Sequence, residues 1–335
     1  MGKPYFSVII LYWRAAQFLP RCLASLKAQT FKNFEIILLN NGSDDEPDVE
    51  LVAQYPDLDL HLLQSEKNLG FAAGNNLATK QARGDYLVLL NADAYPSSDW
   101  LEKVYQASLE HPGHFFASRL VQANNPDFLD GEWNVLHASG LAWRQNHNRL
   151  IDLSQKEARY VISACAAAGV YPKAAFDKIK GFDEDFFAYM EDLDLDMRLQ
   201  LAGFPCLYLP DTLVYHVGSG SAGVRSEFSI YHGQRNLVWN YVKNMPGFLF
   251  YLLLPVHILF NLAYLIASPL IPNGKAVWKA KWDAIKGLPK MWRKRREVQA
   301  SRSVPIGRIA KLLNWNPFSP LLKLLPQKSV DTEKP

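Results

Sequence analysis

The sequence predicts an α/β fold built on a mostly parallel sheet, followed by a separate helical C-terminal region. Two observations predict the sheet: apolar runs of strand length recur through the first hundred residues, and helical segments separate them. Strands joined by helices form parallel sheets, because each helix carries the chain back to the edge at which the next strand begins. A third observation, an apolar run at 247–271 followed by a basic tail, predicts the separate region.

Four strands are predicted near the N-terminus. Residues 6–12 read FSVIILY, and the runs that begin at 35 and 85 are equally apolar. Continuous apolar runs are typical of strands that are buried on both faces. A weaker pattern at 58–65 gives the fourth strand. Apolar residues at helical spacing then predict the intervening helices at 19–29 and 70–83, and one after the last strand at 97–111.

Polar clusters follow two of these strands. One cluster, NNGSDD, covers residues 40–45, and the other, NAD, covers residues 91–93. In open α/β sheets, ligands bind beyond the carboxyl ends of the strands. The two clusters therefore predict a ligand site at that edge.

The middle of the chain contributes a second acidic element. Segment 182–203 begins as an acidic loop and becomes an amphipathic helix that Gly203 is predicted to end. Extended structure is predicted to follow from 204 and to run into a glycine-rich loop. We place the end of this first domain at residue 245, so that the first domain covers 1–245 and the C-terminal region covers 246–335.

The apolar run at 247–271 carries no formal charge, and Pro255, His257 and Asn261 interrupt it. As a helix, about 25 residues would extend roughly 37 Å, enough to cross a hydrocarbon core of about 30 Å. A buried core helix is the alternative. The tail that follows is basic and contains tryptophans, which favours contact with a membrane surface.

Charge is distributed unevenly along the chain. Residues 1–274 carry a net −8 and residues 275–335 a net +11. A single span would move this positive tail across the bilayer, and short basic segments resist translocation. We therefore expect a kinked, re-entrant or in-plane anchor with both flanks cytoplasmic. Nucleic acid is not expected as a partner, because the body is acidic and has no recognisable nucleic-acid fold.

Several function classes are excluded by what the sequence lacks. The three cysteines are scattered and form no C-x-x-C pair, which argues against a disulfide framework and a cysteine zinc site and fits a reducing compartment. Glycines 218, 220 and 223 match a dinucleotide-binding string, but they lie late in the chain and outside an opening βαβ unit. No covalent nucleophile is evident.

Three side chains are candidates for chemistry. Asp93 follows a strand and can hold a hard divalent cation, or it can simply cap the next helix. Asp192 opens the acidic helix and can act as a general base, although acidic residues are common at helix N-termini. His216 follows an apolar strand and can ligate a metal or be purely structural. Each signal alone is weak.

In combination and in this order, these segments resemble family 2 glycosyltransferases with the GT-A fold, whose sheet is Rossmann-like. The resemblance is to the rhamnosyltransferase-type branch that extends polyprenyl-diphosphate-linked sugars, and it covers roughly residues 5–245. It rests on five sequences: VIILYWRAAQFLPRCLASLKAQTFKNFEIILLNNGSDD, EKNLGFAAGNN, GDYLVLLNADAYPSSDWL, GFDEDFFAYMEDLDLDMRL and LVYHVGSGS.

The resemblance implies a role for each matching position. Asn40 stands where many members have a nucleobase-contacting Asp, and Asp44 belongs to the same donor-binding turn. Asn91 and Asp93 match the first and last positions of the metal-binding D-x-D signature, and Asp192 matches the catalytic base. His216 matches a histidine that completes the metal site in some relatives. Arg235 and Asn236 match an R-N pair near the acceptor, with no role assigned.

These roles imply an inverting glycosyltransferase at the cytoplasmic face of the cell membrane, acting in cell-envelope polysaccharide synthesis. Asp93 and His216 would hold Mg²⁺ or Mn²⁺ against the diphosphate of a nucleotide-sugar donor, with dTDP-rhamnose expected. Asp192 would deprotonate a hydroxyl of a polyprenyl-diphosphate-linked saccharide acceptor.

Three alternatives to this assignment are considered. The donor can instead be a UDP- or GDP-sugar, and the protein can be a non-catalytic, membrane-docked nucleotide-sugar-binding protein. A sugar-nucleotide pyrophosphorylase would need a glycine-rich loop after the first strand, where this chain has Tyr12 to Ala15.

Overall fold

A computed structural model describes residues 2–45, 52–218 and 226–320. Most of the predicted glycine-rich loop and residues 321–335 of the predicted membrane-associated region lie outside the described residues. The N-terminal part follows the predicted order of strands and helices. Its elements are β1 (Phe6–Tyr12), α1 (Leu19–Lys27), β2 (Phe34–Asn41), β3 (Leu60–Ser65), α2 (Gly70–Thr79), β4 (Tyr86–Asn91), β5 (Ala94–Pro96) and α3 (Trp100–Glu110).

Strands β1 to β4 form the predicted parallel part of the sheet. Strand β1 pairs in parallel with β2 on one side and with β4 on the other, and β3 pairs in parallel with β2. Their shared direction places the ends of β1, β2 and β4 at one edge of the sheet. The first polar cluster begins within the end of β2, and the second begins at the last residue of β4.

The second half of the sheet is mixed, which corrects the expectation of a mostly parallel sheet. Its strands are β6 (Phe115–Gln122), β7 (Leu129–Gly131), β10 (Arg159–Val161), β11 (Ala168–Pro172) and β12 (Cys206–His216), and a separate hairpin is formed by β8 (Asn134–Leu136) and β9 (Ala142–Arg144). The main order is β10-β12-β6-β11-β4-β1-β2-β3. Strand β11 runs antiparallel to both neighbours, β4 and β6. An apolar run reports burial on both faces of a strand, not the direction of the neighbouring strands.

Two apolar layers cover the faces of the sheet. One contains Leu19, Leu23 and Trp100 from the early helices, and the other contains residues of α2 and of the acidic helix. After β11 come α4 (Lys173–Lys178) and the acidic helix α5 (Glu191–Leu201). Gly203 has a φ of +97° just after α5, as expected for the residue that ends a helix.

Among the described residues after β12, the chain forms α6 (Glu227–Asn244), α7 (Gly247–Ala267), α8 (Gly274–Ala300) and α9 (Ile306–Leu312). Helix α7 contains Pro255 and covers most of the predicted apolar run. The chain reverses at Asn273, whose φ is +58°, so that α8 packs back along α7. Paired contacts show the arrangement, because Phe250 of α7 lies beside Trp292 of α8 and Asn261 lies beside Lys281.

Helix α8 also packs along α6, and both helices run in the same direction. Lys281 donates to the Gln234 carbonyl at 2.9 Å, and Arg295 donates to the Met245 carbonyl at 2.6 Å. Beyond α8 the chain returns to the sheet domain, where Asn314 and Ala138 are joined by a backbone hydrogen bond of 2.9 Å. The predicted boundary at 245/246 thus falls in the short connection between α6 and α7.

Candidate active site

A cleft of about 720 Å³ opens at the carboxyl ends of β1, β2 and β4. The β8–β9 hairpin forms one wall, and the segment before α5 forms another. The polar side chains that line the cleft include those of Asn41, Asn91, Asp93, Asn134, Arg144, Asp192 and His216. Four of the six residues predicted from the sequence are therefore brought to one cavity.

Asp93 and His216 lie side by side in this cleft although 122 residues separate them in the sequence. Strand β12 pairs with β5, and this register places His216 opposite Ala94. His216 Nε2 is 3.3 Å from Asp93 Oδ1 and 3.4 Å from Asn91 Nδ2. Both Asp93 and His216 are buried.

The other nitrogen of His216 is held by a residue that the sequence analysis did not identify. His216 Nδ1 donates to Asp130 Oδ2 at 2.7 Å, and Arg144 pairs with the same carboxylate. Burial alone would raise the pKa of Asp130, but Arg144 and His216 hold that pKa well below its usual range. Asp130 follows β6 in a short strand with no recognisable pattern, so only the fold reveals it.

The same contacts set the protonation of His216. Burial alone lowers its pKa, but hydrogen bonds to Asp130 and Asp93 outweigh burial and raise the pKa to about 9. Without a cation, the imidazole is therefore positively charged at neutral pH and interacts with both carboxylates.

These donors fit a divalent cation. A carboxylate oxygen of Asp93 and an imidazole nitrogen of His216 would hold the ion, and the Asn91 side chain lies beside them. Metal-bound histidines usually donate their second nitrogen to a carboxylate, as His216 does to Asp130. Carboxylate oxygens suit both Mg²⁺ and Mn²⁺.

A second group of possible ligands, Glu35, Asp59 and His61, lies at the opposite edge of the sheet. Arg83 already pairs with two of them, at 2.7 Å from Glu35 Oε2 and 2.7 Å from Asp59 Oδ2. Because this arginine neutralises the carboxylates, and because the group lies away from the cleft, it is a weaker candidate for a cation that acts on a substrate.

Asp192 lies in the first turn of α5 and faces the cleft. Its Oδ2 accepts from Asn134 Nδ2 at 3.0 Å and from the Ala166 amide at 3.4 Å, and its Oδ1 accepts from the Leu193 amide at 2.7 Å. Three donors fix the orientation of the carboxylate. Asn134, from the hairpin, is another residue that the sequence analysis missed.

The two residues of the predicted donor-binding turn, Asn40 and Asp44, lie outside the set that lines the cleft. Asn40 is buried at the end of β2, where its Oδ1 accepts from the Ser43 amide at 2.8 Å. Its side chain therefore stabilises the turn, and the neighbouring Asn41 lines the cleft instead. Asp44 lies in the same turn with its side chain 96% exposed. The nucleobase contact of Asn40 and the donor-binding role of Asp44 remain predictions.

This mixed sheet, with a polar cleft at the ends of its parallel strands, belongs to a GT-A-like fold. Solved structures show the same fold. A structure of Staphylococcus aureus TarS, residues 1–349, matches with a TM-score of 0.56 and 18% identity, covering 92% of this chain and 89% of that one. A Pyrobaculum calidifontis mannosyltransferase in complex with GDP-Man and Mn²⁺ matches with a TM-score of 0.55 and 16% identity over 93% and 87% of the two chains.

The sequence profile of Glycosyl transferase family 2 matches residues 7–178, and the chain belongs to this family. It is also similar to an N-acetylglucosaminyl-diphospho-decaprenol L-rhamnosyltransferase of Mycobacterium tuberculosis, at 25% identity over 243 residues, 64% of this chain and 77% of the relative. The O-antigen biosynthesis protein RfbC of Myxococcus xanthus is 28% identical over 235 residues, 66% of this chain and 18% of the relative. The predicted family is thus confirmed.

Proposed function

We propose that this protein is an inverting, metal-dependent glycosyltransferase that moves L-rhamnose from dTDP-rhamnose to a polyprenyl-diphosphate-linked saccharide. The observation that carries the proposal is that one cleft contains both an oriented carboxylate, Asp192, and the Asp93–His216 pair. The first can accept a proton, and the second can hold a cation against a diphosphate. Family membership supplies the transferase class.

Asp192 is proposed as the general base. It would accept the proton of the acceptor hydroxyl as that oxygen attacks C1 of the donor sugar. The bond from C1 to the diphosphate oxygen breaks in the same displacement, so the configuration at C1 inverts. The hydrogen bonds from Asn134, Ala166 and Leu193 hold the carboxylate in place for this transfer.

Asp93 and His216, with Asn91 beside them, are proposed to hold Mg²⁺ or Mn²⁺. When bound, the cation neutralises charge on the departing nucleoside diphosphate. Asp130 would keep His216 Nε2 directed at the ion, and Arg144 would balance the charge of Asp130. The Mn²⁺ in the Pyrobaculum mannosyltransferase complex supports this choice of metal.

The donor assignment rests on the similarity to the mycobacterial rhamnosyltransferase. The experiment is a screen of dTDP-rhamnose, UDP-sugars and GDP-sugars for binding with Mn²⁺ or Mg²⁺, followed by transfer to a polyprenyl-diphosphate-linked acceptor. Tighter binding of dTDP-rhamnose, with transfer, would support the proposal. Preference for another nucleotide sugar would assign a different donor, and binding with neither transfer nor donor hydrolysis would favour the non-catalytic alternative.

We further propose that residues 246–335 dock the 1–245 catalytic domain to the cytoplasmic face of the membrane. Helix α7 is long and apolar enough to cross a bilayer by length and composition, and only 22% of its most apolar window is buried. Its exposed residues recur every three or four positions, and tryptophans of α8 are exposed as well. We call these exposed residues the apolar face: Phe248, Leu252, Val256, Leu259, Leu262 and Ile266 of α7, and Trp278, Trp282 and Ile285 of α8.

The polar residues of the apolar run support an in-plane anchor over a single span. His257 is buried, donates from Nδ1 to the Ser139 carbonyl at 2.7 Å, and stacks on Tyr241 with a centroid distance of 3.9 Å. Asn261 accepts from Lys281 of α8 at 2.6 Å. A span of α7 alone would break these contacts, whereas an in-plane anchor preserves them and leaves the apolar face free for lipid.

We expect Leu259→Asp and Ile266→Asp each to weaken binding to vesicles about tenfold or more. Burying one such side chain is worth roughly 1.5–3 kcal/mol, which corresponds to about 10–100-fold in affinity. Flotation with anionic vesicles measures the effect, and binding of the unaltered protein should persist at high salt. Leu109→Asp, an exposed leucine on α3, is the matched control. Normal binding of both α7 variants, or loss of wild-type binding at high salt, would contradict the docking proposal.

The topology gives a second expected result. A cysteine at Ser329 should react with an impermeant reagent only after cells are lysed, because both flanks of α7 are expected to be cytoplasmic. Background is low, since Cys22, Cys165 and Cys206 are all buried. Labelling of Ser329→Cys in intact cells would instead establish a single span.

A further inference from the structure

The segment that leads into Asp192 has an unfavourable backbone. Phe187, Tyr189 and Met190 each have a φ of +65°, in the left-handed region that non-glycine residues avoid. Such conformations persist only where the surrounding structure holds them, and they cluster at functional sites. Residues 187–190 line the cleft directly before α5.

Asn236 of α6 forms hydrogen bonds with the backbone of this segment. It is fully buried, and its Nδ2 lies within hydrogen-bond distance of three carbonyl oxygens: Phe186 at 2.8 Å, Ala188 at 3.0 Å and Tyr189 at 2.7 Å. The two N–H groups of this amide therefore serve the carbonyls on both sides of Phe187 and the carbonyl of Tyr189, with one N–H shared between two of the three oxygens.

Arg235 orients that amide. Its Nε donates to Asn236 Oδ1 at 2.9 Å, so the oxygen faces the guanidinium and the NH₂ group faces the carbonyls. Its Nη2 donates to the carbonyls of Asp185 and Phe186, both at 3.0 Å. The guanidinium also stacks on Trp239, 4.2 Å from the ring centroid.

Backbone hydrogen bonds join residues 186–190 both to helix α2 and to the first turn of α5, which carries the proposed base. The Phe187 carbonyl accepts from the Ala72 amide of α2 at 3.1 Å, and the Met190 carbonyl accepts from the Asp194 amide at 3.0 Å. Met190 is thus the residue from which the first turn of α5, with Asp192 in it, begins. Asn236 and Arg235 do not line the cleft, so their effect would pass through the backbone.

We infer that Asn236 is a positioning residue for Asp192, and that Arg235 fixes its orientation. Together they hold residues 186–190, three of which have left-handed backbones, in the conformation that aims the first turn of α5 into the cleft. The catalytic part of this inference rests on the proposed function of Asp192. The structural part, that the pair holds the segment, does not.

The test uses the full-length protein with Asn236→Ala and, as matched control, Asn240→Ala. Asn240 is an equally buried asparagine one turn further along α6, and it bonds Asn244 instead of the cleft segment. Hydrogen exchange followed by mass spectrometry should show exchange across residues 185–193 accelerated about tenfold or more in Asn236→Ala and unchanged in Asn240→Ala. In transfer assays, kcat should fall about 10–100-fold while the donor KM stays within about twofold, because small displacements of a catalytic group cost up to 10²-fold.

The outcomes separate the two proposals. Unchanged exchange at 185–193 in Asn236→Ala, or equal acceleration in the control, would overturn the inference. If wild-type protein transfers no sugar from any donor, the proposed function fails while the exchange result still decides the role of the pair. If Asn236→Ala does not fold, Arg235→Lys replaces it. That variant keeps the charge but loses the paired donors, and it should show the same changes to a smaller extent, whereas normal exchange and kcat would overturn the inference.

Discussion

Asp192→Asn is expected to abolish sugar transfer while donor binding stays close to normal. The amide has the shape of the carboxylate but not its basicity, and loss of a general base typically costs about 10²–10⁴-fold in rate. Donor affinity, measured by calorimetry with Mn²⁺ present, should change little because the proposed cation ligands are untouched. Turnover is measured with the donor identified in the screen and a lipid-linked acceptor.

The free energy of unfolding of Asp192→Asn is the control, because it shows whether a loss of turnover reflects a loss of folding. An asparagine oxygen in the position of Oδ2 keeps the bonds from Asn134 and the Ala166 amide, and only the bond from the Leu193 amide is lost. One lost hydrogen bond costs about 1 kcal/mol, so the protein should fold normally. Turnover by a folded Asp192→Asn within a few-fold of wild type would remove Asp192 from the mechanism.

The parallel half of the fold could be predicted from the sequence because its signals are local. Strands β1, β2 and β4 are continuous apolar runs, and α1 shows its buried residues at helical spacing. The direction of β11 could not be predicted in this way. That strand is apolar and buried like the others, and its antiparallel pairing is set by contacts with β4 and β6, far away in the sequence.

The candidate site could likewise be predicted only in part from the sequence. Asp93 and His216 were found as separate weak signals, and only the pairing of β12 with β5 shows that they are neighbours. No sequence pattern marks Asp130 as a site residue, because an acidic residue in so short a strand is ordinarily solvated. Its contact with His216 arises from tertiary structure. The pattern around Arg235 and Asn236 was visible in the sequence, but their carbonyl partners lie about 50 residues earlier.

The fold shows that part of the positive charge of the C-terminal tail is paired with acidic residues of the sheet domain. Lys290 and Lys294 of α8 pair with Asp185 at 2.6 Å, and Lys294 also pairs with Asp183. Part of the basic charge therefore attaches α8 to the acidic loop that precedes residues 186–190. Less of it is free for anionic lipid than the sequence alone indicates, which is why the apolar face is expected to dominate membrane binding.

Removal of the proposed cation ligands is the second change expected to have a large effect. Asp93→Ala and His216→Ala should each weaken donor binding more than the 10–100-fold that is typical for loss of an outer-shell partner of a metal. EDTA should weaken the wild type to the level of the variants, because each treatment leaves the diphosphate without the cation. Calorimetric titration of donor with and without Mn²⁺ measures the effect.

Two further variants test whether the loss of donor binding depends on the Asp93–His216 pair. Asp130→Asn keeps His216 in place but removes the carboxylate behind Nδ1, so it should fall within the 10–100-fold range and below the ligand variants in effect. His61→Ala, in the Glu35–Asp59–His61 group at the opposite edge of the sheet, should leave metal-dependent donor binding unchanged. If His61→Ala weakened that binding while His216→Ala did not, the cation would lie at the wrong edge of the sheet for the proposed chemistry. If donor affinity were independent of metal in every variant, the Asp93–His216 pair would have no role as a cation site.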